Sequence, residues 1–404
     1  MKPAKYLMAF LVAIALLATP VASVLAEPGQ YIPGMSVAVE ESLNSKAAVL
    51  MDAGTGQVLI NNQGDDRRQI ASVTKLMTML LALEACEDGR IKTTDEVVAT
   101  PHACSYGGSQ IYLEPGERFT VQEMLMAVSI KSANDAAIAL AEHVAGSEAA
   151  FVALMNKRAE ELGMKNSHFI NACGLDDVVA GGSSGEKGYS SARDVAIMSR
   201  AVLEFQPLLK EWLTTRITYL QRAKGPVELF NTNHRFLRNF QGGDGLKTGL
   251  TDDAGWCLSA TAERGGFRLI AVALGSPSDE LRYQDVANLL NYGFANFTGK
   301  NLVQAGDEMA LITVNRGTDR IVKAVAENSL SVLLKKGESM DNIERVVQVD
   351  TSLFAPVLVG QKLGELQLVN DGKVLGQVNL VAAAKIDKLG FLGNWDRLFQ
   401  DLFR

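Results

Sequence analysis

Near residue 300 the apolar pattern of this chain changes its period, and that change limits what the chain can fold into. Upstream, apolar residues recur at helical spacing, with Met124, Leu125, Val128 and Ile130 leading into an alanine-rich run at 136–144. Similar patterns predict helices over 149–162, 193–205 and 281–297. Apolar runs at 47–51, 57–60 and 267–274 read as strands, and 96–99 as a short hairpin strand. Downstream, from 308 to 383, short alternating segments take over at 320–326, 330–334, 343–349 and 373–380. Side chains recur every three to four residues on a helix face and every two on a strand face, so one period cannot serve the other. The 404 residues therefore predict a mixed domain over 27–299 and an all-β domain over 300–384. Asn370-Asp371-Gly372, between two of the alternating segments, is a hairpin signal.

The two ends differ from both domains. Lys2 and Lys5 precede an apolar run over 6–17, and Val24-Leu25-Ala26 offers a cleavage site before Glu27-Pro28. Residues 1–26 thus read as an export signal. At the other end, Phe391, Leu392, Trp395, Leu398, Phe399, Leu402 and Phe403 fall on one helical face over 385–404. Asn394, Asp396, Arg397, Gln400 and Asp401 fall on the other. This segment is too short to span a bilayer. It fits a helix lying in a membrane interface, or one docked on protein.

A net charge of −7 and the lack of a long basic stretch argue against nucleic acid as partner. Cys86, Cys104, Cys173 and Cys257 are widely spaced without a C-x-x-C, and His102, His143, His168 and His234 form no ligand pattern. No metal is expected. For an exported protein, disulfides and buried free thiols both remain open.

Chemistry concentrates in three short motifs. In Ile70-Ala71-Ser72-Val73-Thr74-Lys75, a helix would put Ser72 and Lys75 on one face. A serine hydroxyl becomes a nucleophile when a base takes its proton. A lysine can be that base once burial or another cation lowers its pKa. Val73, Leu76, Met77, Leu80 and Leu81 would bury it. The plainer reading is a serine N-cap with an exposed lysine. S-x-x-K alone is weak and recurs at Ser184-Gly185-Glu186-Lys187. S-x-N occurs at Ser132-Ala133-Asn134 and also at Ser42-Leu43-Asn44. Lys247-Thr248-Gly249, within Asp244-Gly245-Leu246-Lys247-Thr248-Gly249, occurs once. Order and context make the set of three specific. Two other matches fail. Gly181-Gly182-Ser183-Ser184-Gly185 lacks the strand and helix of a nucleophile elbow, and Leu246 replaces the glycine a phosphate loop needs before Lys-Thr.

The three motifs in this order are those of penicillin-binding proteins and class A β-lactamases. Ala71 to Thr78, Ser132 to Ala136 and Asp244 to Gly249 resemble the low-molecular-mass penicillin-binding proteins, and more narrowly the D-alanyl-D-alanine carboxypeptidases of peptidase family S11. The linking segments share that resemblance: Leu162-Gly163-Met164-Lys165-Asn166-Ser167-His168-Phe169, Gly174-Leu175-Asp176, Tyr189-Ser190-Ser191-Ala192-Arg193-Asp194 and Asn231-Thr232-Asn233. So does the layout of signal, catalytic domain, small β domain and terminal helix. The resemblance implies an α/β (α+β) catalytic fold of the β-lactamase/transpeptidase type, an antiparallel sheet flanked by helices. It implies Ser72 as nucleophile, Lys75 as base helped by nearby Lys247, and Ser132 as proton relay. Asn134 would bind the substrate amide. Lys247, Thr248 and Arg282 would hold the terminal carboxylate, with Gly249 and Leu250 beside them. Backbone N–H groups of Ser72 and Leu250 would form the oxyanion hole. The implied partners are peptidoglycan stem pentapeptides, β-lactams and, through the terminal helix, the outer face of the cytoplasmic membrane. No cofactor is implied. Leu250 stands where relatives often carry His or an aromatic residue. Ala133 is typical of the carboxypeptidases, where β-lactamases usually carry Asp. The rivals are a β-lactamase or endopeptidase on the same fold, and a non-catalytic wall-binding or sporulation scaffold.

Overall fold

An antiparallel five-stranded sheet frames the first domain, and the chain enters it after one short helix. The structure, a computed structural model, describes residues 37–176, 187–338 and 341–390. After a short helix, α1 (Val37–Glu40), strands β1 (Ala47–Asp52) and β2 (Val58–Asn62) pair antiparallel. The chain then leaves the sheet for nearly all of its helices. These are α2 (Lys75–Glu87), α3 (Pro101–Cys104), α4 (Val121–Met126), α5 (Asn134–Ala145), α6 (Glu148–Glu161), α7 (Ala192–Leu203), α8 (Gln206–Thr214) and α9 (His234–Asn239). Two small hairpins interrupt them: β3 (Glu96–Val98) with β4 (Arg118–Thr120), and β5 (Ile217–Leu220) with β6 (Val227–Phe230). The chain returns through β7 (Gly243–Thr251), β8 (Gly255–Arg264) and β9 (Phe267–Ser276), then closes the domain with α10 (Asp279–Asn296). The sheet order is β2-β1-β9-β8-β7, so β7 is an edge.

Both faces of this sheet are covered, which explains why β1 shows no polar alternation. Ala47, Val49 and Met51 face one core with Ile270, Val272, Leu274 and the buried sides of α2, α5, α6 and α7. Ala48 and Leu50 face the other, with Ala271, Ala273, Val286, Leu289, Leu290 and Phe294. Successive residues alternate faces in a strand; here each face meets helices, so both sets are apolar. Helix α2 is buried on nearly every side, Lys75 included.

The expected strands at 47–51, 57–60, 96–99 and 267–274 and the helices near 149–162, 193–205 and 281–297 all form, with ends shifted by one to three residues. The helical run over 121–145 is broken. After α4 the backbone makes a π-helical turn over Ala127–Lys131, and Ser132 takes a left-handed conformation (φ 63°, ψ 32°) before α5 begins. Helix α10 starts earlier than its apolar pattern because Ser278 caps it, accepting from the Leu281 N–H at 3.2 Å.

Beyond α10 the described residues form only strands. They are β10 (Phe297–Val303), β11 (Glu308–Asn315), β12 (Ile321–Ala326), β13 (Leu330–Lys335), β14 (Ile343–Val349), β15 (Ser352–Phe354), β16 (Lys362–Asn370) and β17 (Lys373–Ala382). Six make a sheet of order β14-β16-β17-β12-β11-β15, and β10 pairs with β13. The hairpin at Asn370 forms as read. Asp371 (φ 48°) and Gly372 (φ 78°) both have positive φ, as a type I′ turn requires. The export signal, the central part of the glycine-rich loop (177–186, with Gly181 to Gly185 and Ser184) and the amphipathic face from Phe391 to Phe403 lie outside the described residues.

The entry into β1 is fastened to α10 by one carboxylate. Buried Asp285 accepts from Asn44 N–H (3.1 Å), Asn44 Nδ2 (3.0 Å), Ser45 N–H (2.7 Å) and Ser45 Oγ (2.5 Å). Removing an acceptor from buried donors costs about 1–3 kcal/mol for each group left unpaired. Asp285→Ala should therefore cost about 3 kcal/mol. In thermal unfolding that is a Tm lower by roughly 6–12 °C for a domain of this size; an unchanged Tm would refute the assignment.

Candidate active site

Ser72 sits on a strained turn that two glycines allow its neighbours to approach. Ala71 has φ 48°, residues Ala71–Thr74 form a 3-10 turn, and α2 begins at Lys75. A Cβ at Gly249 would lie 2.7 Å from the Ile70 carbonyl oxygen, and one at Gly174 would lie 1.9 Å from that of Ala71. Strand β7 and the segment around Gly174 can close on the turn only without those side chains. Gly249 therefore acts by its lack of a side chain. The N-cap reading of Ser72 fails, because the cap position is Ile70 and no side chain caps it.

Lys75 is fully buried, and its amine is held by three acceptors. Nζ donates to Ser72 Oγ (2.8 Å), Asn134 Oδ1 (2.6 Å) and the Cys173 carbonyl (2.7 Å). Burial pulls its pKa down to about 8, against the opposing pull of Cys173 and Asp135. Near that pH the neutral amine can receive the Ser72 proton along the contact already formed. Lys247, also buried, donates to the Thr248 carbonyl at 3.0 Å. Its pKa lies well below the ordinary lysine value through burial first, then the charges of Lys75 and Arg282. Burial is the largest cause lowering both amines, and two like charges in one site disfavour each other's protonation.

The π-helical turn aims the second motif at this amine. Asn134 starts α5; its N–H donates to the Ser109 carbonyl (2.7 Å) and its Nδ2 to the Gly107 carbonyl (2.6 Å). Asp135 accepts from the N–H groups of Ile111 (3.1 Å) and Leu113 (3.0 Å), which fastens the 107–113 loop to α5. Asn134 was expected to bind the substrate amide. Here its two ends are engaged by Lys75 and Gly107, so it positions Lys75. Ser132 is buried in a conformation costly for a residue other than glycine. Among the described residues no hydrogen bond joins its hydroxyl to Ser72 or Lys75.

The third motif lies on the open edge β7. Thr248 Oγ1 donates to Thr232 Oγ1 at 2.9 Å, and Leu250 is half exposed opposite Trp256. Arg282 differs from expectation. Its buried guanidinium donates to the Gly249 and Cys257 carbonyls, each at 3.0 Å, pairs with Asp279 and stacks over Trp256. It braces the β7–β8 end rather than offering a free fork to a carboxylate. Cations stand nearby instead. An open cleft of about 690 Å³, walled by Thr232, Trp256 and Tyr283, carries Arg216, Arg235 and Arg238. The carbonyls of Gly107 and Cys173 and this arginine group were absent from the sequence reading, and Thr232 appeared there only within the Asn231-Thr232-Asn233 segment, without a role. Backbone acceptors carry no residue-type signal. The four cysteines are free thiols, and among the described residues no group of three or more His, Cys, Asp or Glu side chains could hold a metal.

Comparison with known proteins agrees with this geometry. Residues 35–278 match the family model described as D-alanyl-D-alanine carboxypeptidase, and residues 297–388 match that of the penicillin-binding protein 5 C-terminal domain. The D-alanyl-D-alanine carboxypeptidase DacF of Bacillus subtilis is 38% identical over 360 residues, covering 87% of this chain and 90% of that protein. The crystal structure of penicillin binding protein 5 from Haemophilus influenzae superposes with a TM-score of 0.67 at 29% identity, covering 88% of this chain and all of that one. Penicillin-Binding Protein D2 from Listeria monocytogenes, solved in an ampicillin-bound form, gives 0.55 at 32% identity, covering 63% of this chain and 98% of that one.

The Lys75 environment predicts a pH profile. Proton acceptance needs the neutral amine, and the neutral fraction grows as pH rises through the folded pKa. The rate of covalent capture of benzylpenicillin should climb with a midpoint near pH 8. Lys75→Arg, charged at every accessible pH, should lower that rate by about 10²–10⁴-fold without producing a midpoint. A flat wild-type profile between pH 6 and 9 would exclude Lys75 as the base.

Proposed function

The chain belongs to the D-alanyl-D-alanine carboxypeptidase family of serine peptidases, S11, and is a low-molecular-mass penicillin-binding protein with that hydrolase activity; we propose that it works through an acyl-enzyme on Ser72. The observation that carries this is the Lys75 Nζ to Ser72 Oγ contact of 2.8 Å, made by a fully buried amine. Ser72 Oγ attacks the carbonyl between the two D-alanines of a stem pentapeptide as its proton passes to Lys75. The backbone N–H groups of Ser72 and Leu250 receive the oxyanion. Ser132 relays a proton to the leaving amine, D-alanine departs, and water then cleaves the ester to regenerate Ser72.

The terminal carboxylate of the substrate has a distinct electrostatic effect here. Burial lowers the pKa of Lys247 from the ordinary lysine value. An incoming carboxylate favours the charged ammonium. Thr248 supplies a hydroxyl beside it, and Arg216 and Arg238 line the cleft that adjoins its partner Thr232. A β-lactam enters by the same route and acylates Ser72; the ampicillin-bound form of the Listeria relative supports this reading. Export through residues 1–26, and retention at the outer face of the cytoplasmic membrane by the 385–404 helix, complete the proposal. The β domain would then lift the site off the membrane.

Intact-mass measurement of residues 27–404 with benzylpenicillin should show one added drug molecule, absent in Ser72→Ala. Pentapeptide should release D-alanine in the wild type alone. Rapid drug hydrolysis without D-alanine release would instead mean a β-lactamase; neither reaction would mean a scaffold. Residues 27–404 should co-sediment with phospholipid vesicles more than residues 27–384 do, and equal sedimentation would remove the terminal helix as anchor.

A further inference from the structure

Behind Lys75 lies a buried carboxylate for which the reaction above has no use. Glu148 opens α6 and is 3% exposed. Its two oxygens point to two different chain segments. Oε2 accepts from Tyr106 OH at 2.5 Å, and Oε1 accepts from the Ala172 N–H at 3.0 Å. Each partner stands one residue before an acceptor that fixes Lys75. Tyr106 precedes Gly107, whose carbonyl holds Asn134 Nδ2 at 2.6 Å, while Asn134 Oδ1 accepts from Lys75 at 2.6 Å. Ala172 precedes Cys173, whose carbonyl accepts from Lys75 at 2.7 Å. The Ala172 carbonyl also accepts from Thr78 Oγ1 at 2.6 Å, on the same helix as Lys75.

Two of the three acceptors around the amine therefore depend on one carboxylate. The third, Ser72 Oγ, is the group to be activated. We propose that Glu148 is a positioning residue for the acylation step, gripping the Tyr106–Gly107 and Ala172–Cys173 segments so that Lys75 stays directed at Ser72 Oγ. This rests on the Ser72–Lys75 reading above.

The action is geometric rather than electrostatic. Glu148 makes no hydrogen bond to Lys75 and reaches it only through the two segments it holds. Burial raises the Glu148 pKa, against the hydrogen bonds from Tyr106 and Ala172. The ionisable groups facing it are Tyr106, His102, Glu142 and the Cys173 thiol. His102 Nε2 lies 3.4 Å from Glu148, its Nδ1 lies 3.7 Å from Glu142, and its ring stacks on Tyr106.

The test compares Glu148→Gln, Glu148→Ala and Tyr106→Phe with the wild type in the mature chain. It follows benzylpenicillin acylation against pH together with thermal unfolding. Glutamine is isosteric, can accept from Ala172 and can donate to the Tyr106 oxygen. It should keep the rate within about threefold and the midpoint near pH 8. Alanine releases both segments. Its rate should fall about 10–100-fold, as expected for a displaced catalytic group, and its midpoint should move upward as water reaches the amine. Tyr106→Phe removes one arm without disturbing ring packing and should fall between the two; it decides the matter if the alanine variant does not fold. A lower Tm with unchanged midpoint in Glu148→Ala or Tyr106→Phe overturns the proposal. So does a Glu148→Gln loss as large as that of alanine. Wild-type acylation in the same assay reports separately on Ser72, and its absence overturns both readings.

Discussion

The burial of one amine governs this site. An ammonium taken from water into an apolar interior is disfavoured unless partners replace its hydration. Lys75 lies in a helix buried on nearly all sides, and its three hydrogen bonds supply that replacement in part. The remaining imbalance is what makes the amine a usable base. Ser72, Asn134 and the Cys173 segment each hold it by a hydrogen bond. A more exposed lysine would keep a pKa nearer the ordinary lysine value, and far less of it would be neutral to take the serine proton.

That burial in turn demands a particular scaffold. A helix apolar on all sides needs neighbours on all sides, and α5, α6, α7 and the sheet provide them. The sheet can do so because its other face is sealed by α10. The Ser72 turn must still reach the open edge β7. Close approach at Gly249 and Gly174 permits this, at the cost of a left-handed Ala71. Strain of this kind persists where surrounding packing overdetermines the backbone, and both Ala71 and Ser132 meet that condition.

Much of this was legible in the residues. The change of period near 300 separated the two domains' patterns, and the three motifs carried the chemistry. Val73, Leu76, Met77, Leu80 and Leu81 carried the signal for burial of Lys75, beside the plainer reading of an exposed amine. Other features had no local signal. Ala127 to Ile130 continue a helical apolar pattern, and no Gly or Pro marks the break at Ser132. Elements β5, β6 and α9 are too short to show a period. Carbonyls of Gly107 and Cys173 belong to every residue type alike. Arg282 could be placed near the site by resemblance, but whether its guanidinium is free or engaged depends on Gly249, Cys257 and Asp279, which only the tertiary structure brings together.

Strand β7 ends the sheet, and so half of its main-chain hydrogen-bonding groups have no strand to meet. Elsewhere such an edge invites unwanted pairing. Beside Ser72 that edge is a template. A strand laid along it would sit only in steps of one residue, each single step turning every side chain to the opposite face, so a guest paired there would be placed by register.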